Sequence, residues 1–386
     1  MSRSWLPHRR SPVTPERRWV ELLHEIVDID SGPDDTPGLH RVLDRLGEEF
    51  DVLGFEAQRR SAAPGPDVLV ATREGVSDPT RVLLLGHADT VFASGAAAER
   101  PFTICGDGRA TGPGIADMKA GLVVMLAALA ALPAQVLDRL HVTAMINGDE
   151  ESGSAHSQPL IEQVVQDAQV ALVFEPGRPP DRAVHARRGA QRYRLRVTGR
   201  AAHTGVNPQD GANVIVTLAH HVLALQRLDE CMPRGTVTSA IIEGGTRPNI
   251  VPDAGLLHVD SRFDDAEIAG RIKETILGLG GAGPVDGTST TVEVLDGRPA
   301  FAESPRGREL AALFVDVAAD LGMELATEST GGSSDGNFAA ARGVPTLDGL
   351  GAVGAGYHTT DEYIELSTIA SRADLCAAAL TRLALE

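Results

Sequence analysis

Five short segments, each placing a His or a carboxylate in or beside a turn, constrain this chain more than anything else in it. They are GHADT (Gly86 to Thr90), GPGIADMKAG (Gly112 to Gly121), NGDEESGS (Asn147 to Ser154), FEP (Phe174 to Pro176) and GYHTTDEY (Gly356 to Tyr363). Two of them follow apolar runs and end in Gly-flanked turns, the place where an open α/β sheet presents functional side chains. His87, Asp117, Glu151, Glu175 and His358 together make a donor set for two metal ions, and Glu150 is left over as a base. Any fold the chain adopts must gather these segments into one pocket.

The intervening sequence says how. Residues 15 to 30 carry apolar side chains at helical spacing, with Pro15 acceptable in a first turn. Arg81 to Leu85 is a short apolar run stopped by Gly86, which predicts a buried strand. Lys119 to Leu132 is rich in Ala and Leu and is stopped by Pro133, predicting a helix. His141 to Ile146 and Val170 to Phe174 read as further strands. This series predicts an α/β fold, a mixed sheet flanked by helices.

Near residue 187 the texture changes. AQRYRLRVTGR alternates polar and apolar residues, the period-2 pattern of a sheet with one solvated face. A helix over 213 to 228, strands over 235 to 242 and 255 to 262, a helix over 266 to 279 and a strand over 289 to 295 follow. They compose a two-layer α+β unit of about a hundred residues, a normal domain size. GYHTTDEY lies beyond it, so the catalytic domain is expected in two parts, 1–187 and 298–386, split by an inserted unit at 188–297.

Composition removes several classes of function. A formal net charge of -18 disfavours binding to nucleic acid or an anionic membrane, since phosphate is neutralised by a basic face. No stretch approaches the roughly 20 apolar residues of a membrane span. The N-terminus has Arg but no apolar core of a secretory signal, so the chain reads as cytoplasmic. Cys105, Cys231 and Cys376 are sparse and far apart, which suits reduced thiols better than disulfides.

Taken singly, each candidate has a plain alternative. His87 and Asp89 stand two apart at a strand end and face one side, so Asp89 can accept the free ring N–H of a metal-bound His87; a hydrogen-bonded turn would look the same. Asp117 has two oxygens and can bridge cations about 3.5 to 4 Å apart, but Asp before a helix is also a common N-cap. Glu150 and Glu151 would point opposite ways in extended backbone, one toward metal and one toward the substrate water, although acidic triplets are often solvated surface. Glu175 is a strand-end acid and His358 a loop His, and neither stands out alone. As a set they balance charge. Three carboxylates and a bridging hydroxide neutralise two dications, and metal binding makes that hydroxide available near neutral pH.

In these motifs the chain resembles the co-catalytic zinc peptidases and deacylases that include glutamate carboxypeptidase, acetylornithine deacetylase, succinyl-diaminopimelate desuccinylase and aminoacylase. The likeness runs from about Glu21 to the C-terminus, and DEESGS, EGGTRPNIVP, GRPAF and GYHTTDEY look nearest the glutamate carboxypeptidase branch. The resemblance implies two Zn2+ per subunit, replaceable by Co2+ or Mn2+. His87, Asp117 and Glu175 would hold one ion, and Asp117, Glu151 and His358 the other. It implies Glu150 as general base and a cis peptide bond after Asp117. It makes 188–297 a lid and dimerisation unit in a homodimer, with His203 reaching the partner's site to polarise the scissile carbonyl, Asn249 a second residue of this kind and Arg262 clamping the substrate's carboxylate. Arg182 and Arg188 are further candidates for substrate contact. The family's Gly-Gly-Gly-Thr-Asp loop, which borders the substrate, stands here as Gly331-Gly332-Ser333-Ser334-Asp335.

The expected activity is hydrolysis of the amide of an N-acyl or peptidyl amino acid with a free carboxylate. A deacetylase of small N-acetyl amino acids is the alternative. A non-catalytic binding protein on the same fold would have lost a ligand or the base, and all are present.

Overall fold

The computed structural model describes residues 15–76 and 78–385, so most of the N-terminal stretch read for a secretory signal lies outside the described residues. Its central sheet has six strands in the order Glu56–Arg60, Val68–Arg73, Leu140–Asn147, Thr80–His87, Val170–Val173 and Thr346–Leu347. Thr80–His87 runs parallel to both neighbours, and Val68–Arg73 is antiparallel to Leu140–Asn147, so the sheet is mixed.

Register is what makes this sheet useful. His87 pairs with Asn147 and Leu85 with Val173, so three neighbouring strands finish at one edge. The segments carrying His87, Glu150–Glu151 and Glu175 all leave the sheet there, the crevice an open α/β sheet offers to ligands.

The helix Ala120–Ala131 contains no polar side chain, and such a helix belongs inside. It packs against the C-terminal helix Ser367–Leu383, and both contribute to the main core with Leu84, Val142 and Leu172. Gly121 lets it approach the sheet edge: a Cβ at that position would meet the carbonyl oxygen of Phe174 at 1.9 Å. The backbone just before Glu175 is thereby pressed against the start of the helix that follows Asp117.

A second, wholly antiparallel sheet orders Gly235–Gly244, Ala254–Phe263, Gly189–Thr198, Ser289–Arg298 and Gly281–Ala282. Helices Val214–Glu230 and Ala266–Leu277 share a separate apolar cluster with it, including Leu195, Leu218, Leu257 and Ile272. A small four-stranded sheet pairs Tyr363–Glu365 with Arg109–Thr111, bringing the segment that follows His358 against the one that leads into the Asp117 turn.

The structure adds a helix, Thr36–Val52, that the sequence reading did not assign, capped by Asp35, which accepts the Gly38 N–H at 2.8 Å. It also adjusts one expectation. Glu150 and Glu151 do not lie in extended backbone. The strand ends at Asn147, and the acidic triplet wraps into a turn because Asp149 accepts the N–H groups of His156 and Ser157.

Candidate metal centre

His87 ends its strand almost fully buried, with its Nε2 3.1 Å from Asp117 Oδ1 and 3.7 Å from Glu175 Oε1. On the other side of the same carboxylate, Asp117 Oδ2 lies 3.3 Å from His358 Nε2, which is 3.2 Å from Glu151 Oε2. The two oxygens of Asp117 thus face two separate donor groups. Donor atoms of His87, Asp117 and Glu151 fall within 4.8 Å of one another, as do those of His87, Glu150 and Glu175. These groupings overlap the expected ligand sets without reproducing them.

Irregular backbone presents two of the donors. Asp117 sits at φ -113, ψ 92 inside a distorted turn, and the Asp117–Met118 peptide is cis. His358 adopts φ 61 and leaves its side chain 54% exposed, against 1% for His87. Left-handed backbone at a non-glycine residue is costly and concentrates at functional sites.

Asp89 does more than orient one ring. His87 Nδ1 donates to the Asp89 carbonyl oxygen at 3.0 Å and lies 3.3 Å from its carboxylate. The carboxylate oxygens also accept the backbone N–H of Glu150 at 3.2 Å and of Glu151 at 2.9 Å. One acid therefore fixes the His87 tautomer, leaving Nε2 to face the pocket, and sets the turn that carries both glutamates.

The electrostatics of the pocket ask for cations. Burial lifts the carboxyls of Glu150 to about 7 and Glu151 to about 8, and raises Glu175 well above its ordinary range. Burial would lower His87, but bonds to Asp117 and Asp89 hold it well above its usual value. His358 is raised to about 9, chiefly by its bond to Asp117. Burial opposes the ionisation of Asp117, yet His358 and His87 keep its carboxyl well below the usual range. Without ions the site keeps protons on groups that would otherwise be metal ligands. An excess of buried carboxylates around two imidazoles fits a pair of dications.

Sequence reasoning missed Arg298, the Arg of GRPAF. It is buried, with Nη1 2.7 Å from Glu150 Oε1 and Nη2 donating to the Glu150 carbonyl and to Ser154 Oγ. Asp335 accepts from Ser154 Oγ at 2.5 Å and from Asn147 Nδ2 at 2.8 Å, and lies 3.3 Å from Arg298. In the GGSSD loop, Ser334 and Asp335 are thus turned inward, whereas Gly331 and Gly332 are exposed. The signal for Arg298 was its place in GRPAF, just beyond the strand expected over 289 to 295.

The structure does not bring the other sequence candidates into the donor cluster. Arg262 pairs with Asp260 on its own strand, at 2.8 Å, and the exposed His203 and Asn249 lie on adjoining backbone, where Thr204 N–H donates to the Asn249 carbonyl. Among the described residues no hydrogen bond or ion pair links any of the three to the pocket. Arg182 is paired with Glu328 and Arg188 with Asp264, so neither is free. Their neighbour Arg187 instead is buried, 2.6 Å from Asp348. A cavity of about 580 Å³ opens beside the cluster, lined in part by Asp89, Glu151, Ser152 and His156.

The sequence model of Peptidase family M20/M25/M40 matches residues 83–382. The chain belongs to this family. Carboxypeptidase G2 of Pseudomonas sp. (strain RS-16) is 32% identical over 362 residues, 92% of this chain and 86% of that protein. A succinyl-diaminopimelate desuccinylase of Caulobacter sp. (strain K31) is 27% identical, over 91% of this chain and 92% of its own length. Aminopeptidase PepT from Bacillus cereus ATCC 10987 shares the fold, with a TM-score of 0.78 over 96% of this chain and 99% of that one at 24% identity. As a member of Peptidase family M20/M25/M40 the chain is a metallo-hydrolase, and the mixed sheet with its flanking helices is the family's architecture.

Proposed function

We propose that this protein hydrolyses the amide bond of an N-acyl or peptidyl amino acid bearing a free carboxylate, using two Zn2+ ions. The observation that carries this reading is the arrangement of Asp117, one oxygen toward His87 and the other toward His358. His87, Asp117 and Glu175 would hold one ion, and Asp117, Glu151 and His358 the other. When bound, the pair would supply a water acidic enough to ionise near neutral pH and a Lewis acid for the scissile carbonyl.

The residues then divide the work. Glu150, whose carboxyl burial raises in the metal-free pocket, takes a proton from the attacking water and returns it to the leaving amine, as a base near neutral pH should. Arg298 holds Glu150 in place, and Asp89 aligns His87 with the glutamate turn. Arg262 would exchange Asp260 for the substrate's carboxylate, a ligand its fork suits. His203 and Asn249 would act on the scissile carbonyl across a dimer. The cavity beside Asp89 and Glu151 has room for the substrate.

We take 188–297 as the lid and dimerisation unit of a homodimer, between the two catalytic parts 1–187 and 298–386. Its separate apolar cluster supports this, as do exposed Ile241 and Ile242 on the edge strand Gly235–Gly244 and exposed Ile215, Val216 and Leu223 on the adjoining helix. A cytoplasmic location fits the free thiols of Cys105, Cys231 and Cys376.

A panel of dipeptides, pteroyl-type glutamate conjugates and N-acetyl amino acids, assayed with added Zn2+, Co2+ or Mn2+, tests the reading. Preference for the first two classes is expected. A clear preference for acetyl substrates would favour the deacetylase alternative, and hydrolysis of none would overturn the proposal.

A further inference from the structure

Glu362 is buried at 1% exposure in the last of the five segments, four residues beyond His358. Among the described residues it makes no ion pair. Its carboxylate is instead taken up by main chain: Oε2 accepts the N–H of Gly114 at 2.9 Å, and Oε1 accepts those of Ala116 at 2.8 Å and Asp117 at 2.9 Å.

These amides need such a partner. They precede the helix Ala120–Ala131, and the backbone at Asp117 is not helical, so no regular ladder satisfies them. Gly114 lies at φ 68, and a Cβ there would meet Thr90 Cγ2 at 2.3 Å, so the turn is tight as well as irregular. Close-set N–H groups of this kind make a concavity for an anion, and here the anion is a side chain of the same chain. The pairing of Tyr363 with Thr111 sets Glu362 beside the turn that begins at Gly112.

We infer that Glu362 is a positioning residue for the metal centre, clamping the Asp117 turn to the His358 loop. Asp117 and His358 are the two ligands of one proposed ion that arrive on separate irregular segments, and Glu362 is bonded to the first and sits in the second. The inference rests on the two-metal reading above. Loss of the carboxylate leaves up to three N–H donors without a partner and lets the two ligands drift apart. Groups that orient metal ligands typically contribute about 10- to 100-fold in metal affinity.

The test is a chelator-competition titration of metal-stripped protein with Zn2+, on the parent, Glu362→Gln and Glu362→Asp, together with amide hydrogen exchange of the metal-free parent. The parent should take up two ions. Glu362→Gln should bind the weaker ion about 10- to 100-fold less tightly, with Glu362→Asp between. The amides of Gly114, Ala116 and Asp117 should be protected in the parent and exchange faster in Glu362→Gln. Parent-like binding of both ions by Glu362→Gln, or unprotected amides in the parent, overturns the inference and leaves the two-metal reading standing. Should Glu362→Gln fail to fold, Glu362→Asp and the parent's exchange decide it in the same way. A parent that binds fewer than two ions overturns the two-metal reading itself, and the role of Glu362 with it.

Discussion

Arg298 and Glu150 form a buried ion pair, Nη1 to Oε1 at 2.7 Å, so the residue read as the base is held by the last residue of a strand from the other sheet. Arg298 opposes the upward pull of burial on Glu150. In Arg298→Ala the Glu150 carboxyl should titrate higher, moving the acidic limb of the kcat/KM profile to higher pH. Turnover should fall about 10- to 100-fold. Breaking a buried pair also costs about 3 to 5 kcal/mol, so the melting temperature should drop. An unshifted pH profile would show that Arg298 does not govern Glu150.

The base itself is checked by Glu150→Ala. Metal content should stay near that of the parent while turnover falls about 10² to 10⁴-fold, the usual contribution of a positioned acid/base group. Parent-like turnover would mean that another group moves the proton.

Asp89→Asn keeps the shape but removes the charge that receives the Glu150 and Glu151 amides and faces the His87 ring. Metal affinity and turnover should both fall about 10- to 100-fold. If only one of them changed, Asp89 would serve His87 or the glutamate turn, but not both.

Stability of the metal-free protein should depend on pH in a defined direction. Folded Glu150 near 7 and Glu151 near 8 lie above the roughly 4.3 of an unfolded glutamate, and His358 near 9 lies above the roughly 6.5 of an unfolded histidine. The folded state therefore binds more protons, and its stability falls as pH rises from about 6 to 8. Calorimetric scans after chelation should show a lower Tm at pH 8 than at pH 6. Saturating Zn2+ should reverse the trend, since ions displace protons more readily at higher pH. A metal-free Tm that rises over this interval would contradict the protonated pocket.

His203 can be tested across the dimer. A mixture of His203→Ala and Glu150→Ala subunits, exchanged to form hybrids, should recover part of the activity that each lacks alone. No recovery in demonstrated hybrids would place His203 within its own subunit's chemistry or outside the reaction.

Much of this was legible before the structure. His87, Glu175 and the Glu150–Glu151 pair follow apolar runs or strand-stopping residues, so their position at a sheet edge could be read from the pattern. Asp117 and His358 drew weight from their company and from the resemblance. The second, antiparallel sheet showed itself as a switch to period-2 alternation at Gly189. Other parts were not legible for physical reasons. Arg298 and Glu150 are far apart in sequence, and nothing local announces a buried ion pair. Asp89 looks like a partner of His87 alone until the turn after Asn147 brings two backbone amides onto it. Glu362 reads as a surface acid in TTDEY until strand pairing with Thr111 tucks it under the Asp117 turn. Arg182 and Arg188, singled out in the sequence, are paired with Glu328 and Asp264, and it is Arg187, between them, that is buried against Asp348.

The most direct test is anomalous diffraction at the zinc edge from crystals grown with Zn2+. Two peaks about 3.5 to 4 Å apart are expected, with Asp117 between them, His87 and Glu175 on one and Glu151 and His358 on the other. One peak only, or a pair that does not share Asp117, would contradict the two-metal centre.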